Sequence, residues 1–410
     1  MNIRFKFFNL SLVLLPCAIG AVTEAADFTG RFSMLGTTAR ATQDDNTLTA
    51  DQQSLRLMLD NSSALDKTLN EAEWSVHMKM VRLHLSDFPF SDIHSSDLFR
   101  YEKLSSYWLE ENDANNTSRF GYEIDRAVYK HRFKNTTLAI GRQSIDWGSG
   151  RFWQPLNVFG SFAPTDLDTD FKPGIDAARL DWFPSGFSSL TAVYVFSPND
   201  NAAVDNNSSA ALHYRRQVGE QSELKLLGAD IIGNTVFAAS FESAWGGMGW
   251  RLEAAHTQTK QNETSVFSIA GLDYQFSNGT LLAAEWYNNS RGANDITTLM
   301  NSNILTDTFI KYGLQQHLSQ NVLGVSLNKD ITPLMNAGYT LLASPVKDID
   351  GTLNTSLLHQ VNLIYSVSNE SDLLFSLQFA NGRGKTNLGQ VQSEFGHVPT
   401  SITIRLRFYF

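Results

Sequence analysis

The sequence predicts an all-β chain: a transmembrane antiparallel β-barrel of about eighteen strands, with sixteen as the alternative. Two observations carry this expectation. Short segments that alternate apolar and polar residues recur from end to end, each near the roughly ten residues a tilted membrane strand needs. The links between them alternate in length, tight then long, which an up-and-down barrel explains and a soluble sandwich does not.

In chain order, Arg4 and Lys6 precede an apolar run from Phe7 to Leu15, followed by the small residues of "AIGAVTEAADF". This pattern predicts a secretory signal over 1–25, too short to span a bilayer itself. Cys17, the single cysteine, lies inside it behind Pro16, so residues 26–410 carry no thiol for disulfides, metals or catalysis. No cofactor is implied. Removing Arg4, Lys6 and Glu24 from the 32 basic and 42 acidic residues leaves 30 and 41, a net charge of −11. That balance argues against a nucleic-acid partner.

The first strand is expected over Phe28 to Thr38, the second includes "LRLML" after Ser54, and the third "WSVHMKM" from Trp74. Later strands include "LTAVYVF" from Leu190, "VFAASFES" from Val236, "WRLEAAH" from Trp250, "LLAAEWYNN" from Leu281, "HQVNLIYS" from His359 and "DLLFSLQFA" from Asp372. Tight turns such as "FKNT", "PSGFS", "GEQS", "WGGM", "SNG", "TPLM" and "SNES" follow even-numbered strands. The long links, Ser86 to Ser118, Ser144 to Pro173, Ser290 to Ser319 and Gly382 to Pro399, follow odd ones. "NSSALDKTLNEA" after Asp60 is longer than its place in the alternation predicts. Phe133, Trp182, Phe183, Trp245, Trp250, Phe276 and Phe410 stand at strand ends beside tight turns, where ring side chains meet lipid headgroups.

The final strand, "SITIRLRFYF", sets Ile402, Ile404, Leu406, Phe408 and Phe410 on one face and Arg405, Arg407 and Tyr409 on the other. With the apolar face toward lipid, Arg31, Arg56, Lys79, Arg405 and Arg407 form a basic arc inside the closed barrel. Glu242, Glu253, Asp273 and Glu285 form an acidic arc opposite, interrupted by Arg251. Such separation predicts a transverse field that favours anionic or dipolar solutes. The link from Ser144 to Pro173 carries Trp147, Phe152, Trp153, Leu156, Val158, Phe159 and Phe162, too apolar for a loop in water, so it is expected to pack inside the barrel. Its Asp166, Asp168 and Asp170 are expected to face Arg126, Arg142, Arg151 or Arg179 across a constriction. The stretch "DLDTD" opens like a calcium loop, yet Phe171 and Ala177 stand where the glycine and the bidentate glutamate belong.

With "RLRFYF" at its end, the chain from 26 to 410 resembles the bacterial outer-membrane porins. "GRQSIDWGSGRFWQP", from Gly141 to Pro155, is similar to a segment of several porin-like families. The resemblance implies a Gram-negative outer-membrane channel for small hydrophilic solutes, narrowed by an inward third loop over 144–173. It implies contact with membrane lipid and lipopolysaccharide, recognition of the last strand by barrel-assembly machinery, and is compatible with a homotrimer. The nine histidines are scattered, with no metalloprotease or nucleophile-elbow motif, so no enzyme is expected. The rival readings are a binding or scaffold barrel and an outer-membrane hydrolase.

Overall fold

Alternation forces the strands. A β-strand turns successive side chains to opposite faces, and here one face is continuously apolar while the other carries ions and amides. The computed structural model describes residues 26–40, 47–61, 72–86, 98–100, 106–110, 117–196, 208–302, 308–311 and 313–410. The expected signal segment, most of the link after Asp60 and the stretch from His94 to Asp97 lie outside these residues.

Nineteen strands join in one sheet among the described residues. They are β1 (Asp27–Arg40), β2 (Thr47–Asp60), β3 (Ala72–Leu85), β4 (Ser106–Glu110), β5 (Ser118–Phe133), β6 (Thr136–Gln143), β7 (Ile175–Ser185), β8 (Ser188–Val195), β9 (Ser209–Val218) and β10 (Ser222–Ile231). There follow β11 (Asn234–Trp245), β12 (Met248–Gln258), β13 (Thr264–Gln275), β14 (Leu281–Asn289), β15 (Asn321–Thr332), β16 (Met335–Lys347), β17 (Leu353–Ser368), β18 (Ser371–Asn381) and β19 (Thr400–Tyr409). Two short helices, α1 (Ile296–Met300) and α2 (Thr308–Lys311), sit in the link between β14 and β15.

Eighteen of the strands close an antiparallel barrel, since β19 pairs with β1 from Arg31 opposite Tyr409 to Arg40 opposite Thr400. The nineteenth, β4, is an addition that the alternation did not predict. β6 pairs only with Ala127–Phe133 of β5, and β4 takes the same edge farther along, opposite Arg119–Glu123. At the seam Gly30 and Phe410 exchange backbone hydrogen bonds of 2.7 and 3.0 Å. The Phe410 ring occupies the space a Cβ at position 30 would need, 2.2 Å from its nearest carbon, so a side chain there would push the ring aside.

The turns on one rim are two residues long between β5 and β6, β7 and β8, β11 and β12, β15 and β16, and β17 and β18. Gly246 and Gly247 both have positive φ, 58° and 82°, the geometry a two-residue hairpin demands. Along this rim Phe133, Trp182, Phe183, Trp245, Phe276 and Phe410 are all exposed on the outer surface. A second belt, Phe120, Tyr194, Phe196, Phe237 and Trp286, circles the long-loop rim. Between the belts Leu212, Leu226, Leu252 and Ile404 point outward, and Leu252 is 51% exposed. Moving a side chain of this size out of water is worth about 1.5–3 kcal/mol, so this surface belongs in lipid.

Candidate functional site: the loop that crosses the lumen

The link between β6 and β7 turns into the barrel and is bonded at two places, one on β12 and β14 and one at the seam of β19, β1 and β2. Its first arm is held by two carboxylates. Glu253 on β12 accepts the backbone N–H and the hydroxyl of Ser149, the latter at 2.6 Å, with Gly150 N–H at 3.2 Å and Leu156 N–H at 3.4 Å. Glu285 on β14 accepts the N–H groups of Arg151 at 2.9 Å, Phe152 at 3.2 Å and Trp153 at 2.9 Å. Consecutive N–H groups from 149 to 153 thus converge on two buried acids, an arrangement that suits negative charge. Gly150 permits the coil, because a Cβ there would lie 1.7 Å from the Trp153 carbonyl oxygen. Around this arm Trp147 stacks on His213 at 4.9 Å, and Leu156, Val158 and Phe159 join a core with Val193, Leu227 and Val236 of the wall.

The second arm reaches the seam. Asp168 forks onto Arg31 with two bonds of 2.7 Å. Asp170 accepts from Arg31, Arg407 and the Tyr409 hydroxyl, each at 2.7 Å. Arg405 donates to the Leu167 carbonyl, and Gln360 to that of Thr165 at 3.0 Å. Phe171 lies beneath two guanidinium groups, 4.9 Å from Arg31 and 4.2 Å from Arg56. Burial pushes the Asp168 carboxyl up, but the Arg31 bonds and charge outweigh it and hold the group below the ordinary aspartate range. Asp170 is likewise raised by burial and brought below that range by Tyr409, Arg407 and Arg31. Asp166 accepts the Ala163 N–H at 2.7 Å, and burial leaves it above its usual value.

The arginines expected to face these aspartates are engaged elsewhere, because the loop crosses the lumen instead of folding back on the wall it leaves. Arg126 donates to Ser144 at 2.9 Å, Arg151 lies 3.5 Å from Asp273, and Arg179 bonds Asp181 at 2.9 Å. Arg142 grips Asp176 through two bonds of 2.7 Å. The register sets this pair on the sheet face that carries Ile140 and Leu180, the outward one.

The bare opposition of charged walls is also corrected. Each wall holds its own counter-charges: Asp125, Glu123 and Asp372 among the basic residues, and Lys225 beside Arg251 among the acidic ones. Arg56 pairs with Asp125, Lys79 lies 4.0 Å from Glu123, and Arg405 and Arg407 share Asp372 at 3.6 and 3.0 Å. Across the lumen Glu242 meets Lys225 at 3.2 Å, while Arg251 bonds Asp273 and lies 3.9 Å from Glu285. Asp372 was legible, since its alternation with Leu373 points it inward. Asp125 was not, because a bulge opposite His77 and Met78 breaks the parity of β5.

Above the second arm a cavity of about 1150 Å³ opens between the loop and the links 290–320 and 382–399. Its wall includes Gln52, Lys79, Gln378, Gln316, Phe171 and His397. No group of metal-ligating side chains occurs among the described residues.

A closed eighteen-strand sheet with an apolar outside, an ionic inside and a loop folded into the lumen is a porin-like β-barrel. Solved structures share this fold across nearly the whole chain. Acinetobacter baumannii OccAB4 aligns with 94% of this chain and 98% of its own at a TM-score of 0.57 and 11% identity. Pseudomonas aeruginosa OccK5 (OpdH) aligns over 94% and 98% at 0.57 and 9% identity, and P. aeruginosa OccD3 (OpdP) over 94% and 93% at 0.54 and 10%. No protein-family model and no curated protein matches the chain in sequence.

Proposed function

We propose that the protein is an outer-membrane channel for passive diffusion of small hydrophilic solutes, with residues 144–173 as its constriction loop. One observation carries this reading: a polar loop tip bonded to Arg31 and Arg407 inside a ring whose outer surface is apolar. A barrel built only to fill space has no need of an ionic lumen, whereas water-borne solutes require one. The ion pairs along both walls support passage of dipolar solutes, which exchange one set of charge-assisted bonds for the next. Under the same reading lipid and lipopolysaccharide surround the aromatic belts, and the Phe410 strand addresses the assembly machinery.

Refolded protein in planar bilayers is expected to give discrete conductance steps, and in liposomes to admit sugars, amino acids or organic acids. A purified, refolded barrel that gives neither steps nor swelling overturns the channel reading in favour of a scaffold.

A further inference from the structure

Where the first arm of the loop meets the outer links, three side chains from three different links form a chain of hydrogen bonds. The Trp153 indole Nε1–H donates to Nε2 of His317 at 2.8 Å, and Nδ1 of His317 lies 2.9 Å from Glu394. An indole nitrogen can only donate, so Nε2 carries no proton and the Nδ1–H of a neutral ring points to the carboxylate. Glu394 also accepts the N–H of Ser319 at 2.8 Å and of Leu318 at 3.3 Å, which anchors it to the link that carries His317. Trp153 is fully buried, against Tyr287 at 5.3 Å and the edge of His317 at 5.5 Å.

We propose that Trp153, His317 and Glu394 form a proton-operated latch on the inward loop, closed while His317 is neutral and released when it takes a second proton. The inference rests on the constriction reading above. A protonated Nε2 has no lone pair, so the buried indole loses its acceptor and two N–H groups face each other. The bond to Glu394 strengthens at the same moment, because both partners are then charged. Release therefore falls on the Trp153 side: the two outer links tighten together as the loop arm is freed from them. The ionisable groups packed about His317 are Glu394, the Tyr287 hydroxyl, His397 beyond Glu394, and Glu285 beneath the Trp153 backbone. Glu394 is buried, which pushes it up, yet His317 and the Ser319 N–H hold it below the ordinary glutamate range. Asp168 and Asp170, held low by their arginines, remain docked through the same interval, since a depressed carboxylate loses its contribution only as pH falls through its folded value.

Two readouts test the latch on the full-length refolded protein. In planar bilayers, lowering pH from about 8 to about 5, across the histidine range, is expected to change the conductance level of the wild type. That step is expected to be lost in His317→Gln, which accepts and donates without titrating, and in Trp153→Phe. In detergent micelles the Trp153 indole N–H resonance, assigned by its loss in Trp153→Phe, is expected to move over the same interval, and to stay fixed in His317→Gln. An indole resonance that ignores pH in the wild type, or an acid step with the same midpoint in both variants, overturns the latch. A resonance that moves in a protein that does not conduct supports the latch and overturns the channel reading alone.

Discussion

At the scale of single residues, the two glutamates of the lumen act as receptors for backbone. Glu285 accepts three consecutive N–H groups, and Glu253 takes up those beside them. Removing an acceptor from a buried donor costs about 1–3 kcal/mol, so Glu285→Ala strands three donors and costs on the order of 3 kcal/mol or more of loop docking. The expected outcome is rapid protease cleavage within 144–173 while the barrel itself stays folded, with Glu285→Gln intermediate because one acceptor oxygen remains. Equal resistance in wild type and Glu285→Ala would mean that Glu253 and the apolar contacts of Trp147 and Leu156 hold the arm without Glu285. The histidine of the latch bears on catalysis as well. Its Nε2 is taken by Trp153, so the His317–Glu394 pair is not free to draw a proton from a nucleophile.

At the scale of elements, the loop is an insertion between β6 and β7 that replaces lumen volume with side chains. Excision of Trp147 to Asp170 is expected to raise single-channel conductance, and a value at or below wild type would place the narrowest point elsewhere. The strands were readable because alternation repeats many times and slips in one place are corrected by neighbours in the ring. The loop's need for packing partners was readable too, from seven large apolar residues in water's way. Its landing points were not. That Asp168 reaches Arg31 and that "WGSGRFW" coils onto Glu253 and Glu285 are contacts between residues more than a hundred positions apart, and neither leaves a periodic trace. β4 escaped for a related reason, since five residues give alternation too little length to register.

At the scale of the whole molecule, the outer surface fixes the medium. Trp182, Trp245 and Trp286 are 45%, 78% and 45% exposed, whereas Trp153 is wholly buried. Lipids brominated at defined depths are therefore expected to quench the first three strongly in reconstituted protein and to spare Trp153; uniform quenching by an aqueous agent would contradict a membrane position. The join between Gly30 and Phe410 has a consequence for assembly. A sheet rolled on itself has either no free margin or two, and here the final stitch waits on residues almost a full chain apart. Until β1 and β19 pair from Arg31–Tyr409 to Arg40–Thr400, both margins remain open to any passing strand. A methyl group at position 30 would push the Phe410 ring aside and loosen the end of that join, beyond those ten pairs.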